Sequence, residues 1–130
     1  MNVMTNQEIF DHVWTFLNKQ RRQSKKELCV YRSNEGLSCA IGCLLDDETA
    51  HRFDDLGDQI GGSSIKDIYV HDADLIPKFL GNDIQFLSDL QKVHDMPVSY
   101  RYWLKEWRSG MMELANNYNL KPPVLEPERV

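Results

Sequence analysis

Three cysteines, Cys29, Cys39 and Cys43, carry the most reactive side chains in this sequence. A cysteine at the first turn of a helix has free backbone N–H groups beside it, which stabilise a thiolate. Cys39 is a candidate for that position, and His94-Asp95 or His71-Asp72 would supply a base and the carboxylate that orients it. That set describes a thiol-dependent enzyme. The opposing reading makes Cys39 a small core residue, because Leu37, Ile41, Leu44 and Leu45 around it are apolar and apolar surroundings raise a thiol's pKa. The spacing C-x9-C-x3-C has no second ligand pair, and His51 is the nearest histidine, so a zinc site is not expected. No cofactor is called for.

A second group of residues has the chemistry of anion recognition. Arg32 presents a planar fork for a phosphate or carboxylate. Tyr31 and Tyr102 offer rings for stacking, and Gln91 and His94 offer polar contacts. Together Tyr31, Arg32, Gln91, His94 and Tyr102 make a candidate site for a small anionic nucleotide. The basic cluster Lys19, Arg21, Arg22, Lys25 and Lys26 is a further anion contact, although cations at a helix C-terminus also serve the helix dipole. Gly61-Gly62-Ser63-Ser64 lacks the lysine of a phosphate-binding loop and reads as a flexible connection.

These residues need elements to hold them. The chain has 130 residues, 42% apolar and 27% charged, with a formal charge of −5. This is one globular domain with a real core, and it lacks the basic footprint of a nucleic-acid binder. Thr5-Asn6-Gln7-Glu8 is a capping box that opens a helix whose apolar face is Ile9, Phe10, Val13, Trp14, Phe16 and Leu17. Leu28–Tyr31 reads as a strand and Ser33–Gly36 as a turn. Leu37–Leu45 fits strand alternation and helical spacing alike, with a short buried helix opening near Ser38 favoured.

From Asp46 to Gly62 the chain is acidic and reads as a loop with one helical turn near Thr49–Phe53. Ser63 or Ser64 caps a short helix running to Tyr69 or Val70. Asn82 caps a helix carrying Ile84, Leu87, Leu90, Gln91 and His94 that ends before Pro97. Ser99 caps a last helix with the stripe Tyr100, Trp103, Leu104, Trp107, Met111, Leu114, Ala115 and Tyr118. The two C-terminal helices are expected to pair antiparallel. The expected fold is a mainly α single domain, residues 1–120, of four to five helices with room for one short β-hairpin, followed by a loose tail, 121–130.

Two blocks carry a resemblance. The run Cys29-Val30-Tyr31-Arg32 followed by Gly36-Leu37-Ser38-Cys39-Ala40-Ile41-Gly42-Cys43-Leu44-Leu45 is one, and Leu87-Ser88-Asp89-Leu90-Gln91-Lys92-Val93-His94-Asp95 is the other. Both resemble a family of small phage and bacterial proteins, although Asp46 stands where family members often carry proline. The resemblance implies a small cytoplasmic protein, often phage-encoded, and assigns no reaction. The expectation is a non-enzymatic binding protein that counters host defence by occluding a host protein or sequestering a nucleotide signal. No signal peptide and no membrane span are read, which agrees with a cytoplasmic location. A homodimer is the expected oligomer, since three tryptophans and a strong C-terminal stripe offer much apolar surface.

Overall fold

The structure, a computed structural model, describes residues 3–21, 31, 37–60, 64–95 and 102–121. Five α-helices form a mainly helical single domain: α1 (Asn6–Gln20), α2 (Asp47–Ile60), α3 (Ile65–His71), α4 (Ile84–Asp95) and α5 (Trp103–Asn117). Three 3-10 turns link them, at Gly42–Leu44, Ala73–Leu75 and Lys78–Leu80. No strand occurs among the described residues. Ser38 alone forms a bridge, and the expected strand Leu28–Tyr31 and turn Ser33–Gly36 fall, but for Tyr31, outside them.

Two of the caps follow the sequence closely. Thr5 accepts a hydrogen bond from the Glu8 N–H, and the Glu8 carboxylate accepts one from the Thr5 N–H. Ser64 and Asp67 repeat that reciprocal pair at the start of α3. α1 closes on Arg21 in a left-handed conformation, φ 61°, with its N–H bonded to the Leu17 carbonyl.

Three expectations need adjustment. Asp46 to Gly62 is not a loop: a 14-residue helix, α2, fills most of it. Asp46 caps it by accepting from the Thr49 N–H at 2.7 Å, and Ala50, Phe53 and Gly57 turn to the interior, while Asp47, Glu48, Asp55 and Asp58 face water and Asp54 is half-buried. The cap of α4 is Asp83 rather than Asn82, accepting from the Phe86 N–H at 3.0 Å. Leu37–Leu45 is buried at its centre, but its helix is a single 3-10 turn. The expected cap Ser99 lies outside the described residues, and α5 itself opens at Trp103 with Tyr102 in the cap position.

The core is organised by a run of stacked rings. Phe10 and Trp14 of α1 lie 6.5 Å apart, Trp14 and Trp107 of α5 5.3 Å, and Trp107 and Trp103 5.5 Å. His94 of α4 meets Trp103 edge-on at 5.5 Å. Three helices are joined by one aromatic column, whose offset and edge contacts add to the area buried. Partners along α4 and α5 run in opposite senses, His94 with Trp103, Val93 with Gly110 and Asp89 with Tyr118, so the pair is antiparallel.

Candidate functional site

α4 places Ser88, Gln91 and His94 at intervals of three residues on one face, and all three are buried. Gln91 works in two directions. Its Oε1 accepts the Ile65 N–H at 3.0 Å, satisfying a donor that α3 leaves free at its first turn. Its side chain also bonds the Tyr31 hydroxyl.

Tyr31 is 1% exposed and held on every side. Its N–H donates to Asp54 Oδ1 at 2.9 Å, its carbonyl accepts the Cys39 N–H at 3.3 Å, and its ring meets Phe53 edge-on at 5.3 Å. Burial pushes its phenol well above the ordinary value, and the charges of Cys39, Asp54 and Asp95 add to this, while the bond from Gln91 opposes it.

Cys39 lies in the same neighbourhood, 2% exposed. Its sulfur accepts the Gly42 N–H at 3.2 Å. Burial raises its thiol well above the ordinary value and outweighs that hydrogen bond, with the nearby Asp95 charge adding to the rise. His94 is fully buried. Its Nδ1 lies 2.7 Å from Asp95 Oδ1, so Nδ1 carries a hydrogen when that carboxylate is ionised, and its carbonyl accepts the Trp103 indole N–H at 2.8 Å.

Three of the expected site residues, Tyr31, Gln91 and His94, are therefore buried; Gln91 bonds Tyr31, and the Asp95 carboxylate beside His94 acts on both Tyr31 and Cys39. Tyr102 does not join them: it is 52% exposed, at the start of α5. His71 is exposed at the end of α3. Arg32 lies outside the described residues. So do Arg22, Lys25, Lys26 and Gly61–Ser63, whereas Lys19 and Arg21 stand exposed at the end of α1. The buried set has the residue types of thiol chemistry in an environment that keeps the thiol protonated, and the half-buried Asp95 is its most solvent-accessible member.

A different feature opens to solvent. Between α4 and α5 runs a groove of ≈ 570 Å³. Val93 and Gly110 form part of its floor, and Asp89, Lys92, Glu106 and Glu113 stand around it. The helices approach closely at this point because Gly110 has no side chain: a Cβ there would sit 2.8 Å from Val93 Cγ1. Asp89 is fixed by the Tyr118 hydroxyl at 2.6 Å and the Gln85 amide at 2.9 Å. The carboxylates of Glu106 and Glu113, two turns apart, make no hydrogen bond or ion pair among the described residues. Sequence reasoning passed over these carboxylates because it followed the apolar stripe of α5. The available signal was two glutamates seven residues apart flanking Ser109-Gly110.

A second concavity, ≈ 550 Å³, lies between α2 and Leu75 and is lined by Glu48, His51, Arg52 and Asp55 among others. Arg52 pairs there with Glu48 at 3.2 Å. Among the described residues no group of three His, Cys, Asp or Glu side chains could hold a metal ion, and no helix is long and apolar enough to cross a membrane. Compared with protein-family models, with curated proteins and with solved structures, the chain has no match in any of the three.

Proposed function

We propose that this chain is a non-enzymatic binding protein that acts by occluding a protein partner. The observation that carries this reading is the division of labour between interior and surface. Tyr31, Cys39, Gln91 and His94 are buried, and hydrogen bonds tie them to backbone groups and neighbouring side chains. Two open concavities among the described residues are instead helical surfaces with more carboxylates than cations. Helical faces of this kind suit recognition of another macromolecule. The resemblance to phage proteins supports a factor that engages a host protein, in the cytoplasm of the host. Sequestration of an anionic nucleotide is the less supported version, since three residues that would hold it are interior and both open concavities are acidic.

Calorimetry of the folded protein against cyclic and ADP-ribose-type nucleotides is expected to show no binding at millimolar ligand. The tagged protein is expected to recover one host protein stoichiometrically and to lower that protein's activity in a purified mixture. Nucleotide binding lost in a Tyr31→Phe or Gln91→Ala variant that still folds would replace occlusion by sequestration. Turnover of any thiol-dependent substrate that disappears in Cys39→Ala would replace binding by catalysis.

A further inference from the structure

We infer that the groove between α4 and α5 is the docking site for a basic amphipathic helix of the partner protein, a reading that rests on the binding function proposed above. A groove between two antiparallel helices is the shape that a third helix fills, ridges into groove. From Glu106 to Asn117 the α5 wall is about 16 Å long, or three turns of an incoming helix. The occupant's chemistry follows from the walls. Val93 and Gly110 offer an apolar strip for small or aliphatic side chains.

Around that strip stand three carboxylates, Asp89, Glu106 and Glu113, against one ammonium, Lys92. Asp89 already accepts two hydrogen bonds, which leaves Glu106 and Glu113 as the carboxylates of the groove without partners among the described residues. Their seven-residue separation along α5 is about 10.5 Å, the distance between residues i and i+7 of a helix lying parallel or antiparallel to it. The complementary ligand is therefore a helix with Lys or Arg at i and i+7 and apolar residues at i+3 and i+4. Charge complementarity favours such a basic protein segment over nucleic acid, whose phosphates the walls repel.

The test uses the full chain and a fluorescent, helix-prone 14-residue peptide with Lys at i and i+7 and Leu at i+3 and i+4. Two control peptides accompany it, one with both Lys replaced by Glu and one with the second Lys moved to i+5, which rotates it off the shared face. Anisotropy titration at low salt is expected to show binding of the first peptide alone. The Glu106→Gln/Glu113→Gln variant is expected to bind about fivefold to tenfold more weakly, as two rim contacts predict. Ser109→Trp, which fills the groove, abolishes binding, and Asp55→Asn/Asp58→Asn on α2 leaves it unchanged.

Equal affinity for the i+5 peptide would overturn the inference, as would undiminished binding to the double glutamine variant. So would a loss of binding confined to the α2 variant, although that outcome leaves the broader binding function standing. Self-association of the chain that disappears in Ser109→Trp would also overturn it by naming a second copy as the occupant.

Discussion

Trp103 and Trp107 stack 5.5 Å apart in the same column, yet their indole N–H groups have different fates. Trp103 donates to the His94 carbonyl at 2.8 Å, whereas Trp107 is buried with no acceptor for its Nε1 hydrogen among the described residues. A buried donor without a partner loses hydration for nothing in return. Replacing Trp107 by Phe removes ring volume and a liability together, while the same change at Trp103 removes volume and a hydrogen bond. Urea denaturation should show Trp103→Phe costing about 1–3 kcal/mol more than Trp107→Phe. Equal losses would mean that the Trp107 N–H has an acceptor. The buried thiol gives a second residue-scale expectation. Cys39 is shielded and held protonated, so native-state alkylation at pH 8 should leave it unmodified long after it reacts in urea. Rapid alkylation of the folded protein at Cys39 would return the thiol to the list of reactive groups.

At the scale of elements, two glycines decide how closely the pieces approach. A Cβ on Gly42 would stand 2.1 Å from the Tyr31 carbonyl oxygen, a backbone atom that cannot swing aside. Gly42→Ala should therefore cost about 3 kcal/mol or more by denaturation, at the upper end of overpacking. Gly110 faces a side chain instead. Gly110→Ala gains about 1 kcal/mol of helix propensity but presses on the stiff, β-branched Val93. The alanine should be neutral or destabilising beside Val93 and stabilising by about 1 kcal/mol when Val93 is also alanine. Additive effects in that double-mutant cycle would show that the helices are not in contact there. The same local rules explain what was legible in the sequence. Capping boxes and apolar periodicity act within a few residues, so α1, α3 and α4 could be read within a residue or two of their caps, whereas α5 opens at Trp103 with Tyr102 in the cap position, three residues past the expected Ser99. α2 was missed because its acidic residues resemble a solvated loop, and the pattern Ala50, Phe53, Leu56, Gly57 is spaced among them. Tyr31, Gln91 and His94 were read as parts of one ligand site on a surface, but their burial depends on how α2, α3 and α4 pack. No local spacing encodes that packing.

For the whole molecule, the buried phenol and thiol set a limit on the alkaline side. Both Cys39 and Tyr31 titrate above their ordinary values, 9.0 and 10.0, when folded, because burial disfavours the anion and neighbouring carboxylates repel it. Each group keeps its proton in the folded chain at a pH where the unfolded chain has lost it. The folded state then binds more protons, and stability falls as pH rises. Below the unfolded values both groups are protonated in both states, and their contribution is complete. The decline should begin near pH 9 with Cys39 and steepen near pH 10 with Tyr31, and each group can contribute up to about 1.4 kcal/mol per pH unit. Tyr118, raised first by burial and then by its bond to Asp89, adds in the same direction. Urea midpoints measured from pH 7 to pH 11 should therefore fall less steeply for Cys39→Ala from pH 9, and for Tyr31→Phe from pH 10, whatever each variant's stability at pH 7. Curves parallel to the parent's across that range would show that neither group is shielded from solvent, and the interior assigned to Tyr31, Cys39, Gln91 and His94 would have to be redrawn as a cleft.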